Sequence, residues 1–482
     1  MSETWANLGL DLHLDLAGRR VRAGLEAAVR DAVRTGRLAA GARLPSSRGL
    51  AADVGVARNT VAEAYAQLVA EGWLTAQTGS GTWVSERPGA TVSAAGVPAP
   101  TSRPPRYDLR AGVPAVSAFP RGEWLAAARA ALGAAADEVL DYPDSRGRPE
   151  LRSALAGYLS RARGVIADPE RIIICGGFSH GLALTCRVLA HQGQGSLAVE
   201  GYGHQAYRRI VRAHRLRAIP LPIDDLGAMP GALDAIGRQD RAGAVLLTPA
   251  HQYPLGMSLA PGRRTAFVAW AARSGRLVIE DDYDGEFRYD RQPVGAMQSL
   301  APEHAVYAGT ASKSLAPGLR LGWLVVPSRM VTEFVAAKDE LGGHNSVLDQ
   351  LALARLIESG GYDRQVRRAR LIYGRRRDRL VAALRRDAPR VRLTGIAAGQ
   401  HVVAALPGDL SEDEVVARAA QNGLAVEGLG HYADDPGAGA ASAAAQHKWR
   451  PALVVGYGRP AEHAFSTALG RLCATLAEMT GA

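Results

Sequence analysis

Lysine is scarce in this 482-residue chain: Lys313, Lys338 and Lys448 stand alone among 57 basic residues. One of the three lies in the run GTASKSLAPGLRLG, residues 309–322, a loop of small and hydroxylated residues. Arginine cannot form a Schiff base, whereas lysine can once desolvation lowers its pKa. A chain that uses Arg almost everywhere and keeps Lys313 in such a loop therefore points to a nucleophilic amine. Thr310 and Ser312 offer hydroxyls and Arg320 a guanidinium fork, a set suited to a phosphate. A plain surface lysine would read the same way from this motif alone.

Two further motifs narrow the choice. The apolar stretch Leu277 to Ile279 runs into EDDYDGEF, residues 280–287. Acids at the C-terminal end of a strand lie where open α/β sheets place their ligands. A carboxylate there, Asp281, can keep a pyridine nitrogen protonated and make the ring an electron sink. The phenol of Tyr283, two residues on, can bond a ring hydroxyl. A solvated acidic loop or a metal site is the competing reading. The run CGGFSH, residues 175–180, joins an apolar stretch to a helical pattern through Ala183, Leu184 and Val188. Glycines before a helix N-terminus make a phosphate cradle of backbone N–H groups at Gly177, Phe178 and Ser179. An ordinary strand-to-helix turn has the same composition.

The elements that must position these residues follow an alternating pattern. Strand-like runs at 172–174, 197–199, 244–247 and 277–279 are separated by helical periodicity, which predicts a mostly parallel α/β sheet beyond about residue 107. Residues 87–106 are rich in Pro, Ala, Ser and Gly without periodicity and read as a linker. Residues 1–86 are different in kind. Val21, Leu25, Ala28, Val29 and Ala32 fall at helical spacing. Ser46 is placed to N-cap a second helix that Gly55 ends. A third helix buries Val61, Ala64, Tyr65, Leu68 and Val69, and its first turn exposes Arg58, Asn59 and Thr60 to reach phosphates and base edges. Leu74 to Val84 reads as a hairpin with its tip at Gly79.

Composition sets the class. The hydrophobic share of 47% and charged share of 22% suit a globular protein. No apolar run reaches the roughly 18–20 residues of a membrane span, and the first twenty residues, with Asp11, Asp15 and Arg19, do not form a signal peptide. Cys175, Cys186 and Cys473 form no framework or metal spacing, so no metal is expected and a reducing cytoplasm fits. The net charge of +10 says little about DNA, because Arg and acids balance over residues 1–86 and much of the excess lies at 364–386. That arginine-rich helix reads as a solvated or acid-pairing surface, with an auxiliary DNA contact as the alternative.

The segments LPSSRGLA, RNTVAEAYAQL and EGWLTAQTGSGTWV resemble the GntR-type winged helix. That resemblance implies that Arg48, Arg58, Asn59, Thr60 and the wing at Gly79 contact double-stranded DNA, with Arg43 on a phosphate. It also marks Ala57 as a departure, since a Ser or Thr cap is usual before the recognition helix. The lysine, acidic and glycine motifs, with TPAHQYPLG at 248–256 and YPDSRG at 142–147, resemble a fold-type-I aminotransferase domain. Joined to a GntR-type helix, such a domain is similar to the MocR regulators. The expected fold is α/β: a winged helix-turn-helix over 1–86, the linker over 87–106, and an aminotransferase-like domain over 107–482 with a smaller C-terminal α+β subdomain.

The resemblance implies pyridoxal 5'-phosphate as cofactor. Lys313 would carry it as a Schiff base, Asp281 would pair with the ring nitrogen and Tyr283 with the ring oxygen. Thr310, Ser312, Arg320 and the Gly177–Ser179 turn would hold the phosphate. Tyr142 would reach the cofactor of a partner subunit in a homodimer. In the position where the family stacks an aromatic residue on the ring, this chain has His204. Where true aminotransferases place the arginine that clamps the substrate carboxylate, it has Val454, with Arg450 nearby but out of register. Losing that clamp removes a contact of about 1.5–3 kcal/mol. Two functions follow as expectations: a regulator sensing pyridoxal phosphate, or an amine or amino acid that reacts with it, and a working aminotransferase carrying a DNA-binding tether.

Overall fold

A computed structural model describes residues 21–77, 80–86, 105–236, 242–289, 294–434 and 450–481. The expected wing tip at Gly79, nearly all of the 87–106 linker and Lys448 lie outside the described residues. The chain divides into two compact units, residues 1–103 and 104–482.

In the first unit the amphipathic helix Val21–Arg34 buries Leu25, Val29 and Ala32. Ser46 caps the helix Ser47–Val54 by accepting from the Gly49 amide at 3.1 Å. Gly55 ends that helix at φ 68°, a left-handed conformation that costs glycine little. The helix Arg58–Ala70 turns Val61, Ala64, Tyr65 and Leu68 inward, while Val69 is only partly covered. These residues join Leu44, Leu50, Leu74 and Val84 in one core. Strands Leu74–Gln77 and Gly81–Val84 form an antiparallel hairpin, and Arg43–Leu44 pairs on its other side. The fold is a winged helix-turn-helix.

Ala57 provides no side-chain cap to the helix Arg58–Ala70. Its extended backbone, φ −64° and ψ 138°, is already that of an N-cap. Ala57→Ser in the full chain is expected to add about 0.5–2 kcal/mol to the stability of this unit. Slower hydrogen exchange across residues 59–65 is the readout, and unchanged exchange would show that the missing cap costs nothing.

The second unit is built on a seven-stranded sheet. In spatial order its strands are Ile172–Cys175, Gly322–Val325, Ala305–Thr310, Leu277–Asp281, Ala244–Leu247, Ser196–Glu200 and Arg217–Leu221. All adjacent pairs are parallel except those made by Gly322–Val325, which runs against both neighbours. Helices on both faces bury two-sided apolar strands such as Ile172–Cys175 and Ala244–Leu247. A smaller C-terminal part has an antiparallel sheet in the order Arg392–Thr394, His401–Ala405, Ala452–Gly456 and Glu427–Gly428. The helices Gly361–Asp387 and Glu462–Thr480 pack on it.

The arginine-rich helix Gly361–Asp387 is largely pairing surface. Arg376 is buried and donates to Glu462 at 2.8 Å and to the carbonyls of Tyr457 and Gly458. Arg379 also pairs with Glu462, Arg364 with Glu123, and Arg370 donates to the Glu286 carbonyl. The three cysteines are free and buried. Among the described residues no helix is long and apolar enough to cross a membrane.

Candidate cofactor site and DNA-binding surface

The parallel strands deliver their C-terminal residues to one edge of the large sheet. Asp281 ends Leu277–Asp281, Thr310 ends Ala305–Thr310, and Cys175 precedes the turn at Gly176 and Gly177. The reversed strand completes the set. Because Gly322 pairs with both Thr310 and Cys175, the preceding Arg320 arrives at this same edge.

Lys313 follows Thr310 and is half-buried. Its Nζ donates to the Gly112 carbonyl, and its own carbonyl accepts from Gln400 at 3.1 Å. Burial lowers the pKa of the amine, with Asp284 and Asp281 opposing that effect. A larger neutral fraction makes the nitrogen a better nucleophile.

Asp281 is buried, and its Oδ1 has no hydrogen-bond partner among the described residues. Burial pushes this carboxyl well above the ordinary carboxylate range, while Lys313 pulls it down. An orphaned buried carboxyl oxygen is costly, and a protonated ring nitrogen would satisfy it. The flanking acids are already committed. Glu280 accepts from the amides of Met297 and Gln298, both at 2.8 Å. Asp282 is paired with the buried Arg163 at 2.7 Å and 3.0 Å and accepts from Tyr307.

The phosphate cradle is formed by absence of side chains. A Cβ on Gly177 would lie 3.6 Å from Arg320 Nη1 and 3.9 Å from Ser312 Oγ. A Cβ on Gly322 would lie 2.7 Å from Gly177 Cα, so only glycine permits the approach. Gly177, at φ 89°, precedes the helix Phe178–His191, whose first N–H groups, at Phe178 and Ser179, have no intrahelical acceptor. Thr310 and Ser312 hold one another through their hydroxyls at 2.9 Å. Among the described residues the Arg320 guanidinium makes no ion pair. Gly177, Thr310, Ser312, Arg320 and the start of the helix are therefore gathered at one place, and they fit a phosphate group.

His204 is the N-cap of the helix Gln205–Ala213 and accepts from the Ala206 amide at 3.2 Å. Its ring stacks on Tyr207 at 5.1 Å and on Tyr253 at 6.2 Å. These rings, with Glu200 and Thr248, line a small recess of about 30 Å³. Phe178 packs on Tyr207 from the other side, 4.7 Å between ring centres. The Tyr283 hydroxyl lies 3.1 Å from His251 Nδ1, and that nitrogen is 2.8 Å from Asp284. Tyr142 is 94% exposed, so its own chain does not bring it to the site.

Sequence reasoning gave no role to His251, Asp284, Tyr253, Tyr207 or the Gly112 carbonyl. His251 and Tyr253 lie in the TPAHQYPLG run and were legible there as a motif. Gly112 had no signal, being 201 residues from the lysine it receives. Val454 is buried in an apolar cluster with Leu255, Val403, Leu429 and Tyr432. Arg450 is exposed. The strand Ala452–Gly456 itself carries no arginine.

In the first unit Arg43, Arg48, Arg58 and Asn59 are exposed and Thr60 is half-buried. Arg43 donates to the Ser80 carbonyl at 3.1 Å and lies over the Trp83 ring, which anchors it to the hairpin. Among the described residues Arg48 and Arg58 make no ion pair, leaving their guanidinium groups available.

Comparison with known proteins agrees with both units. Residues 22–84 match the model of bacterial regulatory proteins of the gntR family, and residues 112–426 match aminotransferase class I and II. The HTH-type pyridoxine biosynthesis transcriptional regulator PdxR of Corynebacterium glutamicum is 35% identical, over 85% of this chain and 88% of its own length. The probable rhizopine catabolism regulatory protein MocR of Rhizobium meliloti is 33% identical, over 82% of this chain and 83% of its own. An archaeal alanine:glyoxylate aminotransferase shares the fold of the second unit with a TM-score of 0.68 and 22% identity, covering 78% of this chain and 92% of that one. An alanine where the recognition helix lacks its cap and a valine where a clamp is expected do not alter that assignment. The chain belongs to the MocR-type regulators, in which a gntR-family helix-turn-helix is joined to a class I and II aminotransferase domain.

Proposed function

We propose that this protein is a DNA-binding transcription regulator whose aminotransferase-like unit, residues 107–482, holds pyridoxal 5'-phosphate at Lys313 and senses it or an amine that reacts with it. The observation that carries the reading is a half-buried lysine amine within electrostatic reach of a buried carboxyl oxygen that lacks a hydrogen-bond partner among the described residues. When bound, the cofactor supplies an aldehyde for an amine and a pyridine ring able to accept electrons.

The chain's own residues do the rest. Asp281 accepts the proton-bearing ring nitrogen. Arg320, Ser312, Thr310 and the amides of the Gly177–Ser179 turn receive the phosphate. His204 would be the residue to stack on the ring, with less area than a phenol would give. Tyr283, already tied to His251, offers its hydroxyl near the ring oxygen. PdxR and MocR, whose names concern pyridoxine biosynthesis and rhizopine catabolism, make a vitamin or amine signal reasonable here.

Val454 favours sensing over turnover. With an apolar residue at the expected clamp, an α-amino acid loses orientation as well as binding. The test is a full-length, cofactor-loaded sample given an amino donor and a keto acid, alongside operator binding. A spectral response that alters operator affinity without steady keto-acid turnover supports the sensor. Sustained turnover assigns the working enzyme instead.

Arg320→Ala is expected to weaken pyridoxal phosphate binding about 10- to 150-fold, the loss of charge-assisted hydrogen bonds worth about 1.5–3 kcal/mol. Fluorescence titration of the apo-protein reads it, and unaltered affinity would remove Arg320 from the cradle. The exposed Tyr142, with Leu125, Leu132 and Leu140 also exposed, suits a homodimer in which Tyr142 enters the partner's site. Two helix-turn-helix units in such a dimer would span two half-sites of an operator. Ligand binding regulates only if it favours one arrangement of the dimer over another. A regulator of bacterial DNA works in the cytoplasm, where free buried cysteines persist.

A further inference from the structure

The surroundings of Lys313 also bear on which amine the site accepts. The position of a Cβ on Gly112 would be 4.0 Å from Lys313 Nζ and 3.7 Å from the Tyr253 hydroxyl. That hydroxyl is 3.4 Å from the hydroxyl of Tyr432, which in turn donates to Glu427 Oε2. Lys313 Nζ and the Tyr253 hydroxyl thus border the same glycine, and from that hydroxyl polar groups lead on to the half-buried Glu427.

Register fixes where that acid points. Glu427 stands directly opposite Val454 in the antiparallel pair, and Val403 is opposite Val454 on the other side. Directly opposed residues share a face of a sheet. Val403 and Val454 pack with Leu255 and Tyr432, so this face is the one turned toward Tyr253. Burial chiefly lowers the proton affinity of His204, with Lys313 adding to that effect and Glu427 opposing it.

Arg110 and Arg208 have partners, whereas the exposed Arg209, within electrostatic reach of His204, makes no ion pair among the described residues. Arg110, which senses Glu427, donates to both oxygens of Asp108 at 3.0 Å and 2.7 Å, and Arg459 holds the same carboxyl. Arg208 is buried on the carbonyls of Glu200 and Gly201. Arg320 belongs to the phosphate cradle. A ligand carboxylate beside Val454 would meet Glu427 and valine. A ligand ammonium would meet an acid and two phenol oxygens.

We propose that the effector is a diamine: a primary amine with no carboxylate on its α-carbon and a second, cationic nitrogen at its far end, which Glu427 receives. This rests on the reading of Lys313 as the cofactor lysine. The test uses full-length protein loaded with pyridoxal phosphate and titrated with 1,4-diaminobutane, n-butylamine and L-alanine. The visible band of the cofactor and the thermal unfolding midpoint are the two readouts.

Diaminobutane is expected to act at about tenfold lower concentration than butylamine, and L-alanine to be the weakest of the three. Glu427→Gln is expected to erase the advantage of the diamine over the monoamine. Tyr432→Phe, which leaves the carboxyl in place and frees it from its phenol, is expected to keep that advantage. L-alanine matching diaminobutane in the unmodified protein would overturn the proposal whatever the variants do, and so would a preference that survives Glu427→Gln. A protein that never takes up the cofactor would sink both this proposal and the reading beneath it. A coloured protein without the preference sinks only this one.

Discussion

Lys313→Ala is expected to abolish covalent capture of pyridoxal phosphate. After incubation with the cofactor and borohydride, the unmodified chain should gain one phosphopyridoxyl group by mass, and the variant none. The size of the effect follows from how few amines compete. Lys338 is buried, and its Nζ donates to the Ile174 carbonyl at 2.6 Å, with its pKa lowered to about 8 by burial. Its amine is already committed to that carbonyl. No arginine can substitute, because a guanidinium forms no stable imine at neutral pH. Residual binding without a covalent bond is expected through Arg320 and the glycine turn, so the variant should still be quenched by the cofactor in fluorescence. Trapping at full stoichiometry in Lys313→Ala would move the site elsewhere and remove the basis of the proposed function.

Arg58→Ala is expected to weaken operator binding about 5- to 150-fold at fixed salt, the range for a base contact worth about 1–3 kcal/mol. Arg58 opens the helix Arg58–Ala70, is exposed and makes no ion pair among the described residues, so its truncation leaves no buried group unpaired. The loss is therefore one of contact rather than of folding. Its dependence on DNA sequence and salt separates two roles. A base contact loses affinity chiefly for the operator. A phosphate contact loses it uniformly across sequences and lowers the slope against salt by about one. Arg43, fixed to Ser80 and Trp83 on the hairpin, should show the second pattern. Equal affinity of Arg58→Ala and the unmodified chain in a gel-shift titration would reject the recognition helix as placed here.

Much of this was legible locally. Ser46 and Gly55 bracket a helix because a hydroxyl can accept from the third amide beyond it and glycine tolerates positive φ. The strands at 172–175, 244–247 and 277–281 show as apolar runs because both faces are covered. Lys313, the acids from Glu280 and the glycine turn at 176–177 stood out by residue type. Val454 was readable as an apolar residue where the resemblance to aminotransferases expects an arginine, in what is the strand Ala452–Gly456.

The rest depended on partners distant in the chain. The alternating pattern predicted a mostly parallel sheet and could not show that Gly322–Val325 is reversed, because direction does not alter the residues a buried strand needs. That reversal brings Arg320 to Gly177. Tyr283 was expected to serve the ring oxygen, and the fold also ties it to His251 and through it to Asp284. Glu427 carried no signal at all, since a lone glutamate near a chain of glycines and alanines is ordinary surface composition.

The amino-acid order by itself determined the elements and the inventory of reactive groups, since periodicity, caps and residue chemistry act over a few positions. Only the tertiary structure decided the charge state of those groups and their neighbours. Among the described residues Asp281 has an unmatched oxygen, and Glu427 faces Val454, because burial and strand register are set by residues beyond the reach of local periodicity.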